Sequence, residues 1–131
     1  AEEHLWISEV MEKKGHIGST YFEQVYAYNN ALRETYDTDW AFTVFVVDSS
    51  EDEDDLFPDG YFAYAYTGGP FTVLTVGNAG YGVANMDAVA AHEIGHIFRA
   101  LDQYAGAERS CTDRAGYLAV ENQNSDFGDC T

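Results

Sequence analysis

Two histidines four residues apart, with a glutamate directly after the first, constrain this chain more than any other feature: His92-Glu93-Ile94-Gly95-His96. On a helix with about 3.6 residues per turn, positions 92 and 96 lie about 40° apart around the axis, so both imidazoles project from one face. Glu93 stands about 100° round from His92, near enough to act on whatever the histidines hold without being one of the holders. Two imidazoles at this spacing make a bidentate clamp for one metal ion, and the adjacent carboxylate is placed to serve as a general base. The pattern therefore points to metal-assisted hydrolysis. The plainer alternative is a pair of core histidines satisfied by backbone groups, and the helical context weighs against it.

That context begins at Asn85, an N-cap residue type, followed by the acidic first-turn residue Asp87. Met86, Val89, Ala90, Ile94, Ile97, Phe98 and Leu101 then spread an apolar arc over more than half the circumference. A helix of this kind is expected to be buried on most sides, with His92 and His96 in the gap of the arc.

Asp102 follows six residues after His96. The run from His92 to Asp102 resembles the extended motif of the metzincin clan of zinc metallopeptidases, in which a third ligand stands six residues beyond the second histidine. Aspartate in that place makes the snapalysin-like enzymes, small secreted proteases, the nearer likeness. The resemblance covers residues 85–104. It implies zinc held by His92, His96 and Asp102, and Glu93 as the base toward a zinc-bound water that attacks a peptide carbonyl. It further implies a protein or peptide substrate lying extended along an edge strand. Phe71 to Val76 is the expected edge, with Arg99, Tyr104 and Tyr81 beside the cleft. The fold implied is a zincin-like single domain of α/β (α+β) class, in which a small twisted sheet packs with the helix that carries the zinc-binding motif.

The chain departs from the clan's pattern twice. Where the clan has glycine, this chain has Arg99, yet the helix must stop there: on a continued helix Asp102 would lie about 240° from His96 and miss the metal. Arg99 is therefore expected in the left-handed region, at a cost of roughly 1–2 kcal/mol that metal binding can offset. The second departure is the methionine turn that follows the third ligand in the clan. Met11 and Met86 both precede Asp102, so the chain is expected to stop short of that element, a C-terminally incomplete catalytic domain. Two other readings stay open. One is a non-catalytic, zinc-stabilised binding module; the other is a zinc hydrolase with Glu121 as third ligand.

A length of 131 residues, 46% of them hydrophobic, suits one domain spanning residues 1–131. A formal net charge of −17 argues against nucleic acid as partner, because phosphate binding needs clustered cations. No apolar stretch has the length of a membrane span, and a monomer is expected. Cys111 and Cys130, the only cysteines, read as a disulfide closing a loop-like tail, and hence as a mark of a secreted, extracellular protein. Carboxylates and amides in that tail (Asp113, Glu121, Asn122, Asn124, Asp126 and Asp129) offer oxygen ligands for a structural calcium ion. The run Glu51-Asp52-Glu53-Asp54-Asp55 lacks the alternation of a coordinating loop and reads as a solvated connection. His4 and His16, isolated on polar segments, read as surface residues.

Upstream of the motif, residues 3–14 read as a helix ended by Gly15, and residues 20–36 as a second helix. The latter opens on the capping box Thr20-Tyr21-Phe22-Glu23, with Phe22, Val25, Leu32 and Tyr36 facing inward. Trp40 to Val47 is apolar on both alternating faces, the pattern of a central strand. Tyr61 to Tyr66 and Phe71 to Val76 read as strands joined through Gly68-Gly69-Pro70.

Overall fold

A computed structural model describes residues 2–107 and 109–122. Among the described residues there are three α-helices: α1 (Glu3–Lys13), α2 (Tyr21–Tyr36) and α3 (Met86–Ile97). Strands β1 (Thr43–Val47), β2 (Ala63–Ala65) and β3 (Phe71–Thr75) form one sheet, and β4 (Arg114–Ala115) pairs with β5 (Val120–Glu121) as a small hairpin. The protein is thus a mixed α/β domain in which α1 and α2 cover one face of the sheet and α3 packs on β3 and β2. Among the described residues no helix is long and apolar enough to cross a membrane.

Helix α2 begins as its sequence predicts. The Thr20 hydroxyl accepts the Glu23 backbone N–H at 3.2 Å. The returning arm goes chiefly to Ser19: the Glu23 carboxylate accepts the Ser19 N–H at 3.1 Å and its hydroxyl besides. The carboxylate holds its proton less tightly as a result, since both Ser19 donors favour the charged form. Val25 is fully buried and Phe22 packs on the core, whereas Tyr36, expected to face inward, is exposed at the last turn.

The sheet order is β1-β3-β2, with β1 parallel and β2 antiparallel to β3. This reverses the expected roles of two strands. Phe71–Thr75 is the central strand, buried at every position, and not an edge; Thr43–Val47 is an edge, with Val46 about half exposed. The apolarity of residues 40–47 has two separate origins. Phe45 enters the core, edge-on to Trp6 at 5.2 Å and to Phe71 at 5.6 Å. Trp40 precedes the strand and packs against Phe98 at 5.1 Å and Tyr117 at 4.9 Å.

Ile7 and Met11 of α1, Val25 of α2, and Phe71 and Val73 of β3 form the buried core. Asn29, almost wholly buried on α2, ties the layers together: its amide donates to the Pro70 carbonyl at 2.8 Å and its oxygen accepts the Thr43 hydroxyl at 2.7 Å. One polar side chain thereby fixes where β1 and β3 begin.

Candidate metal centre

Helix α3 starts at Met86, but Asn85 does not cap it through its side chain; the Asn85 amide instead donates to the Tyr81 carbonyl at 2.6 Å. Nor is the helix buried on most sides. Glu93 is its only buried residue, and the apolar arc from Met86 to Ile97 is half-buried at Met86, Val89, Ala90, Ile94 and Ile97. The sheet covers one flank of α3, so the side chain kept from water is the carboxylate.

The helix ends in a six-residue closure. Arg99 N–H donates to the His96 carbonyl at 2.9 Å, and Ala100 N–H reaches back to the Gly95 carbonyl at 2.9 Å. This is a Schellman-type stop with Arg99 in the left-handed position, φ 66°, as the sequence demanded. The guanidinium lies against Gly68, where an added Cβ would come within 3.2 Å of it. Arg99 therefore lies exposed against the Gly68 turn and does not line the cleft, contrary to expectation.

The stop brings Asp102 back to the histidines. His92 Nε2 and His96 Nε2 are 3.3 Å apart, and Asp102 Oδ1 stands 3.0 Å from the first and 3.2 Å from the second. A tetrahedral ion bound at about 2.0–2.1 Å needs ligand atoms about 3.3–3.4 Å apart, so this triangle fits zinc with little adjustment. The donor set, two imidazole nitrogens and a carboxylate oxygen, suits the same ion. His96 Nδ1 lies 2.8 Å from the Ala100 carbonyl. Because a carbonyl can only accept, Nδ1 is the donor of this pair, and Nε2 is the ring nitrogen that faces the site.

Among the described residues, His92, His96 and Asp102 are the only group of three or more His, Cys, Asp or Glu side chains close enough to share an ion. Glu121 is elsewhere, on β5, with Arg114 at 3.8 Å. Asp113 accepts the Ser110 N–H at 3.0 Å. Asn124, Asp126, Asp129 and Cys130 lie outside the described residues, and with them half of the expected calcium ligands and one end of the expected disulfide. In the acidic run, Asp54 accepts the Leu56 N–H at 3.1 Å and Asp55 accepts the Ser49 hydroxyl at 2.9 Å.

Glu93 stands beside the triangle without belonging to it, 8% exposed. Burial raises its proton affinity above that of an ordinary glutamate, opposed by the two imidazoles and assisted by Asp102. All four side chains open on one cleft of about 680 Å³, walled on the far side by Tyr61 to Ala65 and rimmed by Tyr81 and Tyr104. The two tyrosines were expected there, whereas the β2 wall was not. Ala63 and Ala65 alternate with Tyr64, and since Tyr64 packs on the α1 side, the two alanines turn toward α3 and leave room. No family model, curated protein or solved structure matches the chain.

Proposed function

We propose that this protein is a metzincin-like, zinc-dependent endopeptidase. The observation that carries the reading is the triangle of His92, His96 and Asp102 ligand atoms at tetrahedral spacing, with a buried carboxylate next to it that does not join it. Zinc, when bound there, supplies Lewis acidity toward a carbonyl and acidifies water.

The chain's own residues do the rest. Glu93, with its raised proton affinity, takes a proton from the attacking water and delivers it to the leaving amine. His96 is held in one tautomer by Ala100, so the site needs no rearrangement before use. The scissile segment lies along β2, the edge strand that walls the cleft. An extended polypeptide added there gains main-chain hydrogen bonds from the strand edge, which position it without demanding a particular sequence.

The decisive experiment measures zinc content and hydrolysis of a general protein substrate for wild type beside Glu93→Gln. The expected outcome is one zinc per chain in both, with hydrolysis lowered by roughly 10²–10⁴-fold in the variant. Full activity in Glu93→Gln overturns the mechanism; loss of zinc from it makes Glu93 a ligand.

A further inference from the structure

A second groove, of about 1120 Å³, lies on the α1 side of the sheet, lined by α1, by Phe45 to Val47 of β1, by residues 57–59, and by Tyr64 to Tyr66 along the β2 edge. Its walls are aromatic, with Trp6, Phe57, Tyr64 and Tyr66 among them, and it carries the carboxylates of Glu2, Glu3 and Asp59 without a single Lys or Arg. Glu3 is fixed in place by two phenols, accepting from Tyr64 and, at 3.1 Å, from Tyr66. Tyr64 stays a donor because burial first, and its hydrogen bond to Glu3 second, push its ionisation upward. Rings with fixed carboxylates between them attract a cation on an apolar stem, through both charge and the ring faces.

The two cavities share a wall. Tyr61, Tyr64 and Ala65 line both, so β2 is the partition between them. Side chains of an extended chain project alternately to the two faces of a sheet. A polypeptide laid on the free edge of β2 would therefore send one side chain toward the metal cleft and its neighbours toward the aromatic groove.

We propose that this groove is a subsite for lysine or arginine side chains of the polypeptide bound along β2, so that the protein selects extended segments with basic residues at alternate positions. The proposal rests on the edge-strand reading of the substrate given above. It needs no contact with the metal.

Two dye-labelled octapeptides test it, one alternating alanine with lysine and the other alanine with norleucine, with binding read by fluorescence anisotropy on the zinc-loaded Glu93→Gln protein. The lysine peptide is expected to bind about tenfold tighter. Because the whole chain is acidic, two charge-matched double variants separate the groove from general attraction. Glu2→Gln with Asp59→Asn should bring the two peptides within about twofold, while Glu12→Gln with Glu34→Gln, which remove exposed charges outside the groove, should leave the preference standing. Equal binding of the two peptides by the unaltered groove, or equal loss of preference in both double variants, overturns the subsite. Hydrolysis of a general protein by wild type reads the peptidase independently. Selective binding without hydrolysis keeps the groove and removes the enzyme; hydrolysis without selectivity does the reverse.

Discussion

The backbone N–H of Gly68 donates to the carbonyl of His96 at 2.9 Å, so the loop that enters β3 closes the end of α3 at one of the three candidate ligands. The same carbonyl receives Arg99 N–H at 2.9 Å, and the Arg99 guanidinium lies against Gly68. Loop, helix stop and ligand are thus one mechanical unit. Gly68 has φ +71°, and a Cβ there would meet Arg99 at 3.2 Å.

Gly68→Ala is accordingly expected to destabilise the fold by about 1–2 kcal/mol, from left-handed strain and the displaced guanidinium together. Zinc affinity should weaken severalfold, since His96 loses its anchor. Arg99→Gly, which removes strain at φ 66°, should keep zinc. Thermal unfolding and a zinc titration of the two variants check this, and a Gly68→Ala protein as stable as wild type would show that the unit is not coupled.

Gly95, inside the motif, behaves differently. An added Cβ would meet only Ala100 Cβ, at the ordinary distance of 3.6 Å. Glycine in a helix interior costs roughly 0.5–1 kcal/mol relative to alanine, so Gly95→Ala should stabilise the protein by about that amount while leaving zinc content unchanged. A lowered melting temperature would mean the turn at Ala100 cannot yield.

The His92, His96 and Asp102 cluster was readable because spacing on a helix encodes direction: His92 and His96 share a face whatever surrounds them, and bringing Asp102 to them required a left-handed stop that Arg99 supplies at φ 66°. Strand order was not readable. A run such as Trp40 to Val47 is apolar on both faces because Phe45 fills the core and Trp40 covers Phe98, and composition cannot separate that from a strand between two neighbours. The wall of the cleft escaped for a related reason: Ala63 and Ala65 act by being small, and smallness on a three-residue strand leaves no periodic signal. The burial of Glu93 amid a half-exposed helix likewise depends on β2 and β3, which lie far from it in sequence.

Asn29 offers a test of the layer arrangement itself. Of its two hydrogen bonds, the one to Pro70 is buried and the one from Thr43 is partly so, with Asn29 itself almost wholly inaccessible to water. Asn29→Ala should cost about 2–3 kcal/mol, the loss of both bonds at a residue that water barely reaches. Urea denaturation reads the change; an effect below about 0.5 kcal/mol would mean that solvent reaches these groups.

The tail carries the proposal of an extracellular protein. If Cys111 and Cys130 are joined, unreduced protein made under oxidising conditions will be two hydrogens lighter than the reduced form, and reduction will lower stability by about 2–4 kcal/mol. Two titratable thiols in that preparation would remove the sequence's only argument for an oxidising compartment.

The identity of the third ligand tests the proposed zinc-hydrolase reading. Asp102 Oδ1 lies 3.0 Å and 3.2 Å from the two imidazole nitrogens, whereas Glu121 sits on the β4–β5 hairpin beside Arg114. Removing a ligand from a three-ligand site leaves two imidazoles, which hold zinc weakly and fix no geometry. Asp102→Ala should therefore cut zinc affinity by at least the 10–100-fold seen when even outer partners of a metal site are removed, and abolish hydrolysis. Asp102→Asn, of equal size but uncharged, separates packing from ligation: a structural role alone would leave it near wild type. Glu121→Ala should bind zinc as wild type does. A titration in which Glu121→Ala loses the metal and Asp102→Ala keeps it would move the centre off α3 and end the metzincin-like assignment.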